Sequence, residues 1–290
     1  MYAISGVSGH TGSVVADELL RRGEAVRVIV RTEEKGRPWS ERGASVAVAS
    51  VQDAGSLERA LSGSAGAYLL SPPDMSATDF GAAARRLAET YGRAVRGSGI
   101  AHVVFLSSIG AHVESGTGPI ATLRPIEQAL RSTGVDVTLL RPAYFIENWA
   151  SSLGSASENG VLPSFIPAGF RMPMIATRDI GKAAAEALLH PSRGVRILEL
   201  SGPEDYTPED IAAAISPLVG KKVQVAEAPL DAVVPTFTSF GISEHIASLY
   251  REMLEAVIDG RVAWDGTGER RRGTTTASEV FANMMRQQPS

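Results

Sequence analysis

The chain of 290 residues contains no cysteine. Disulfides, thiolate-ligated metals, iron–sulfur clusters and a cysteine nucleophile are therefore excluded, and the absence suits a reducing compartment. Histidine is scarce: His10, His102, His112, His190 and His245 are all there are, and no two stand at metal-ligand spacing. Lysine is scarcer still, since among 28 Lys+Arg only Lys35, Lys182, Lys221 and Lys222 are lysine. A strong charge of either sign is missing too. The 28 basic and 32 acidic residues leave a net charge of −4, which gives no electrostatic reason to expect nucleic acid or an anionic membrane as a partner. No apolar run approaches the about 18 residues that would mark a membrane span. The opening Met1-Tyr2-Ala3-Ile4-Ser5-Gly6 has no basic segment and no long apolar stretch, so no signal peptide is read there. A cytoplasmic protein is the resulting expectation. What is present, 44% hydrophobic and 21% charged residues, can fill a sizeable core.

Short apolar runs alternate with amphipathic stretches over the first 142 residues. Strands are expected at Tyr2–Ser5, Ala25–Val30, Ser45–Ala49, Ala67–Leu70, His102–Leu106 and Val135–Leu140. Helices are expected at Thr11–Arg22, Gly55–Leu61, Ala77–Arg96 and Pro125–Ser132. The strands are continuous apolar runs rather than alternating ones, as in a parallel sheet covered on both faces. Strand–helix alternation at this spacing predicts an α/β fold with a doubly wound parallel sheet. After Pro142 the pattern loosens. Residues 143–177, rich in Gly and Pro, read as an irregular segment with short elements. Arg178–Leu189 reads as a helix, Arg196–Leu200 as a strand, Val223–Ala226 as a short strand and Ser243–Ile258 as an amphipathic helix. Thr207-Pro208-Glu209-Asp210 has the form of a helix start, with Thr as cap, Pro at the first position and acids in the first turn. Residues 1–150 are expected to form a dinucleotide-binding domain. Residues 151–290 are expected to form a smaller, partly helical substrate or cap region, with 178–203 returning to the sheet. Arg270-Arg271-Arg272 reads as a solvated loop.

The first strand ends in Gly6-Val7-Ser8-Gly9-His10-Thr11-Gly12 and opens a helix. One glycine permits a tight turn with positive φ, a second lets the backbone approach a pyrophosphate, and a third lets the helix pack on the sheet. The free N–H groups and positive dipole end of the helix then face the phosphates. Its position at the start of a βαβ unit makes this a dinucleotide-binding signal. The second strand ends in Val30-Arg31, with Lys35 and Arg37 following. An NAD site would often carry Asp or Glu here, whereas cations suit the 2′-phosphate of NADP(H). NADP(H) is therefore the preferred cofactor, and NAD(H) stays compatible with a solvated Arg31.

These stretches make the chain resemble the NmrA-like branch of the atypical short-chain dehydrogenase/reductase superfamily. The resemblance is carried by residues 6–12, 26–31, 50–61, 67–73, 102–111, 127–148 and 178–189, and it implies a Rossmann domain binding NAD(P). It implies that Gly6, Gly9, His10, Thr11 and Gly12 hold the pyrophosphate and that Arg31, Lys35 or Arg37 sits at the adenosine ribose. Asp53 would meet the adenine edge, unless it is a turn or helix-cap residue. Leu70, Ser71 and Pro72 would line the cofactor, Ser107 and Ser108 would approach the nicotinamide, and Pro142, Tyr144 and Phe145 would pack near it. Family members include quinone and azo-dye reductases, ether reductases, and redox-sensing regulators that catalyse nothing.

The superfamily's usual Tyr-x-x-x-Lys pair is absent. Tyr2, Tyr68, Tyr91, Tyr144, Tyr206 and Tyr250 are followed four residues later by Gly6, Pro72, Val95, Asn148, Asp210 and Leu254. Arg124, the one cation where the pair belongs, cannot act as a base. Three readings stay open. The first is an NADPH-dependent reductase of a planar or conjugated acceptor, such as a quinone or enone, that needs little proton help. The second supplies the proton from Tyr144, His112, Ser108 or Glu147; His112 is attractive because histidine titrates near neutrality. The third is a non-catalytic NAD(P) sensor, and an isomerase or biosynthetic enzyme on the same scaffold is a further alternative. Asn148, Trp149, Phe165, Met172 and Met174, with Phe170, offer an adaptable lining for a small hydrophobic or aromatic substrate, or else ordinary core packing. The oligomeric state is left open by the sequence.

Overall fold

The computed structural model describes residues 1–72 and 79–287. Pro73 and the start of the helix expected at Ala77 lie outside the described residues. In chain order the elements are β1 (Tyr2–Ser5), α1 (His10–Arg21), β2 (Val26–Val30), α2 (Glu33–Ser40), β3 (Ser45–Val48), α3 (Ala54–Leu61), β4 (Gly66–Leu70), α4 (Phe80–Ser98), β5 (His102–Leu106), α5 (Leu123–Arg131) and β6 (Asp136–Pro142). There follow β7 (Tyr144–Phe145), α6 (Leu153–Asn159), β8 (Val161–Ser164), β9 (Met172–Ile175), α7 (Thr177–Leu189), β10 (Val195–Ser201), β11 (Asp205–Tyr206), α8 (Pro208–Val219), β12 (Gln224–Glu227), α9 (Val233–Ser239), α10 (Glu244–Ile258), β13 (Glu269–Arg272) and α11 (Ala277–Gln287).

Eight strands form one parallel sheet in the order β13-β10-β6-β5-β4-β1-β2-β3. The winding reverses between β1 and β4, so their carboxyl ends diverge into a crevice there. The apolar runs are continuous because each face has its own core. Ile4, Val28, Tyr68 and Val104 pack on one side with Val15 and Leu19 of α1 and Ile180 and Leu188 of α7. Ala3, Ile29, Leu69 and Phe105 pack on the other with Leu57 of α3, Leu87 of α4 and Ile126 of α5. A third core joins α6, α8 and α11 with Ile146, Trp149 and Met174. Strands on both sides of residue 150 build the sheet, since β10 and β13 close it beyond β6.

Several sequence expectations need correction. Residues 143–177 hold short elements as read, though more of them than the irregular reading suggests: β7, a 3-10 turn at Ile146–Ser152, α6, β8 and β9. Helix α2 was hidden by its Gly and Pro; Gly36 is required because a Cβ would sit 2.4 Å from Val46. The triplet Arg270–Arg272 is edge strand β13 rather than a loop. Its charges hold the strand in place: Arg270 Nε reaches Glu199 at 3.2 Å and Arg272 Nη1 donates to the Pro203 carbonyl at 2.8 Å. The helix start at Thr207 forms as read, with a capping box. Asp210 N–H donates to Thr207 Oγ1 at 3.1 Å, and Thr207 N–H donates to the Asp210 carboxylate at 2.9 Å.

Candidate active site

The glycine-rich turn is shaped by close backbone approach. Gly6 has φ of 68°, and a Cβ there would lie 2.5 Å from Leu70 Cδ2. A Cβ on Gly12 would meet the Gly6 carbonyl oxygen at 2.5 Å, so no larger residue lets α1 come this near β1. Gly9 N–H donates to the Gly6 carbonyl at 2.9 Å and caps α1. The first intrahelical bond runs from Ser13 N–H to Gly9. That leaves the N–H groups of His10, Thr11 and Gly12 free at the positive helix end. The Thr11 hydroxyl has a different role from the one expected: it is buried and accepts from Tyr68 Oη at 2.9 Å, bracing the turn from beneath. His10 stays exposed at the helix mouth.

Two clefts open along the carboxyl edge of the sheet. The smaller, of about 510 Å³, lies over β1, β2 and β3 and is lined by Gly6, Ser8, Arg31, Lys35, Ser50 and Gln52 among others. The larger, of about 580 Å³, lies over β4 and β5. Gln52, Leu70 and Pro72 line both, so the two form one trough across the crevice. Among the described residues the smaller cleft is lined by two cations, Arg31 and Lys35, and by no carboxylate. Both cations are exposed and carry no ion pair among the described residues. Arg37 lies on α2 outside the lining. Asp53 takes the cap role: its carboxylate accepts from Ser56 N–H at 2.6 Å, and its neighbour Gln52 faces the trough instead.

The larger cleft receives Leu70, Ser71, Pro72, Ser107, Ser108 and Phe145 from the strand ends. Its remaining walls are Phe80, Ala83 and Leu87 of α4, Ile120 and Leu123 around the start of α5, and Tyr250 of α10. None of these last six was selected from the sequence. The substrate residues that were selected lie elsewhere. Trp149, Met172 and Met174 are buried in the third core and line neither cleft. Phe165 packs on Phe237 at 6.2 Å. Asn148 is exposed and lines neither cleft. Pro142 is buried, and its carbonyl accepts from Ile109 N–H at 2.9 Å.

Of the candidate proton donors only Ser108 lines a cleft. Tyr144 packs at 6.4 Å on Trp149, and burial pushes its phenol up to about 12. His112 lines neither cleft; its carbonyl accepts from Arg124 Nη1, and its Nδ1 is sealed without a partner. Arg124 is thus tied to a loop carbonyl. Glu147 accepts from Thr177 N–H at 2.9 Å and from Thr177 Oγ1 at 2.7 Å at the head of α7, and burial raises its pKa.

Beneath the larger cleft lies a buried network that the sequence did not disclose. Ser107 Oγ donates to Glu127 Oε1 at 2.5 Å. Glu127 accepts from Arg141 Nε at 3.0 Å and Nη2 at 2.7 Å, and Arg141 Nη1 donates to Asp265. Ser107, Glu127 and Arg141 are all at most 4% exposed. Burial disfavours the Asp265 charge, yet Thr267 and Arg141 hold its carboxyl well below the usual range. The network locks β5, α5, β6 and the segment before β13 together. Ser107 therefore keeps no proton to offer a ligand. Among the described residues no three His, Asp or Glu side chains gather as metal ligands, and no helix is long and apolar enough to cross a membrane.

The NmrA-like family model matches residues 2–269. The chain is 25% identical over 254 residues to an NAD(P)H azoreductase of Xenophilus azovorans, covering 87% of this chain and 86% of that one. It is 26% identical over 255 residues to quinone oxidoreductase 2 of Escherichia coli (strain K12), covering 86% and 85%. The fold matches that of an NADPH-dependent quinone oxidoreductase from Escherichia coli solved with NADPH, with a TM-score of 0.80 at 22% identity over 98% of this chain and 100% of that one.

Proposed function

The chain belongs to the NmrA-like family, and on that footing we propose that it is an NADPH-dependent oxidoreductase that reduces planar or conjugated acceptors, quinones and enones among them. The observation that carries this reading is the continuous trough: a smaller cleft with Arg31 and Lys35 but no carboxylate among its described residues, opening at Gln52, Leu70 and Pro72 into a larger, mainly apolar one. The residues fit the cofactor. Gly6 and Gly12 let the turn and the head of α1 close on the sheet, where a Cβ would strike Leu70 or the Gly6 carbonyl, and that helix head supplies N–H donors for a diphosphate. Arg31 and Lys35 suit a 2′-phosphate. When bound there, NADPH supplies the hydride.

The protein's own contribution is positional. Leu106, Phe145, Ile120 and Leu123 give a dry wall for a flat acceptor, and the buried Glu127–Arg141 pair fixes the strand ends that form its floor. With Ser107 spoken for, Tyr144 and His112 outside the cleft and no Tyr–Lys pair, proton delivery is left to Ser108 or to water, which a delocalised acceptor tolerates. An open larger cleft supports the enzyme over the sensor reading, in which that space would be blocked. The test is NADPH oxidation followed across quinones, enones and azo dyes, with cofactor titration alongside. Tight NADPH binding with no turnover on any acceptor overturns the reductase.

A further inference from the structure

Six hydroxyl-bearing side chains line the larger cleft: Ser71, Thr90, Ser107, Ser108, Thr122 and Tyr250. Three have committed their proton to the protein. Ser107 donates to Glu127 at 2.5 Å, Thr90 Oγ1 to the Arg86 carbonyl at 2.9 Å, and Thr122 Oγ1 to the Pro119 carbonyl at 2.6 Å. Ser71 stands between Leu70 and Pro72, at the junction shared with the smaller cleft. Ser108 and Tyr250 remain. Tyr250 comes from the opposite wall to the sheet, on α10, which packs against the 3-10 turn Gly118–Thr122. Its ring rests on Phe237 with centroids 5.5 Å apart. Its hydroxyl makes no hydrogen bond among the described residues and is not sealed in the interior, and its side chain lines the larger cleft. Tyr144 differs, because it lines neither cleft. Partial burial raises the Tyr250 pKa, so the phenol stays protonated as a donor and does not serve as a base.

We propose that Tyr250 is the substrate-contacting hydrogen-bond donor of the larger cleft, binding the carbonyl oxygen of the acceptor on which negative charge gathers during reduction. The assignment rests on the reductase reading of the trough and narrows it: the acceptor presents a carbonyl oxygen to the C-terminal wall, away from the sheet. A donor aimed at developing charge acts most strongly where water is excluded. The apolar neighbours Ile120, Leu123 and Phe145 provide that exclusion.

Tyr250→Phe keeps the ring on Phe237 and removes only the hydroxyl, and its melting temperature checks that the fold is intact. Two acceptors separate the roles. 1,4-Naphthoquinone builds negative charge on oxygen, whereas the cationic dye malachite green takes hydride at carbon and forms no oxyanion. The ratio of kcat/KM on the quinone to that on the dye should fall about tenfold in the variant. Calorimetric titration of the NADP⁺-loaded protein gives a readout without turnover: naphthoquinone affinity should fall relative to that for 1,4-dimethylnaphthalene, which has no oxygen. A fall in either readout upholds the contact, and no change in both overturns it. If the wild type turns over neither acceptor, the reductase reading fails and the titration alone decides on Tyr250. A wild type that binds no naphthoquinone overturns both.

Discussion

Removing Arg31 should weaken NADPH binding and leave NADH binding nearly untouched. Arg31 stands at the end of β2 and Lys35 lies on α2, and both line the smaller cleft, where no carboxylate among the described residues balances them. A 2′-phosphate carries roughly −1.5 to −2 charge at neutral pH. A hydrogen bond to a charged group contributes about 1.5–3 kcal/mol. Both side chains are exposed, so solvent screening selects the lower end of that range. Since about 1.4 kcal/mol is a tenfold change in Kd, Arg31→Ala should raise the NADPH Kd roughly tenfold. The Arg31→Ala/Lys35→Ala pair should raise it roughly 100-fold if the two act independently. Arg31→Glu should be worse than Arg31→Ala, because it adds repulsion. The assay is fluorescence titration of the reduced nicotinamide with NADPH and NADH in parallel. The Debye length shrinks from about 8 Å at 0.15 M salt to about 3 Å at 1 M, so the wild-type preference for NADPH should shrink with salt and the double variant should show little left to lose. A preference for NADPH that survives both substitutions refutes the assignment, as does a wild type that binds NADH equally well.

Glu127→Gln removes one of the two carboxylates on the buried Arg141 guanidinium and leaves Asp265 as its ionised partner, so it should cost about 1.5–3 kcal/mol in urea unfolding; an unchanged midpoint would show that the pair carries no weight. Gly12→Ala places a Cβ 2.5 Å from the Gly6 carbonyl oxygen and should abolish detectable NADPH binding in the same titration, whereas normal affinity would mean that the turn does not seat the cofactor. Trp149→Ala should lower stability by about 3–5 kcal/mol while the ranking of acceptors stays fixed, because Trp149 lies in the third core; an altered ranking would return it to the substrate site. Glu147 titrates above its unfolded value because burial disfavours its charge. Its neutral form therefore contributes stability that is complete below the unfolded pKa and is lost as pH rises through the folded one. Glu147→Gln should gain stability relative to wild type between pH 4 and pH 8, and a difference that does not move with pH would refute the assignment.

Much of the sheet could be read directly because each strand is an apolar run with a core on both faces, so local composition and tertiary burial agree. The reading failed where they part. Helix α2 carries Gly36 and Pro38 inside a helix because Val46 presses on Gly36, and no local propensity reports that contact. Strand β13 is three arginines and a glutamate on a sheet edge, where side chains face water and polar residues are tolerated. Met172 and Met174 looked like a pocket lining because an apolar residue reads alike whether it faces a ligand or a core. Asp53 and Gln52 are neighbours of similar chemistry, and only the start of α3 decides which one caps the helix and which one faces the trough.

The sequence by itself determined the glycine-rich turn, because it lies in seven consecutive residues, of which Gly6 and Gly12 leave no room for a Cβ. It also determined the cationic end of β2 and the absence of thiols, a metal cluster of cysteines and a Tyr–Lys pair. Tertiary structure alone decided the rest of the site. Glu127 and Arg141 are 14 residues apart and Arg141 and Asp265 are 124 apart, so their pairing exists only once α5, β6 and the C-terminal segment have packed. Tyr250 reaches the cleft from α10, far along the chain from the strand ends it faces. A turn is written in adjacent residues, whereas a cleft is written in the directions of side chains that meet only on folding, and that is why the cofactor could be foreseen and the acceptor's surroundings could not.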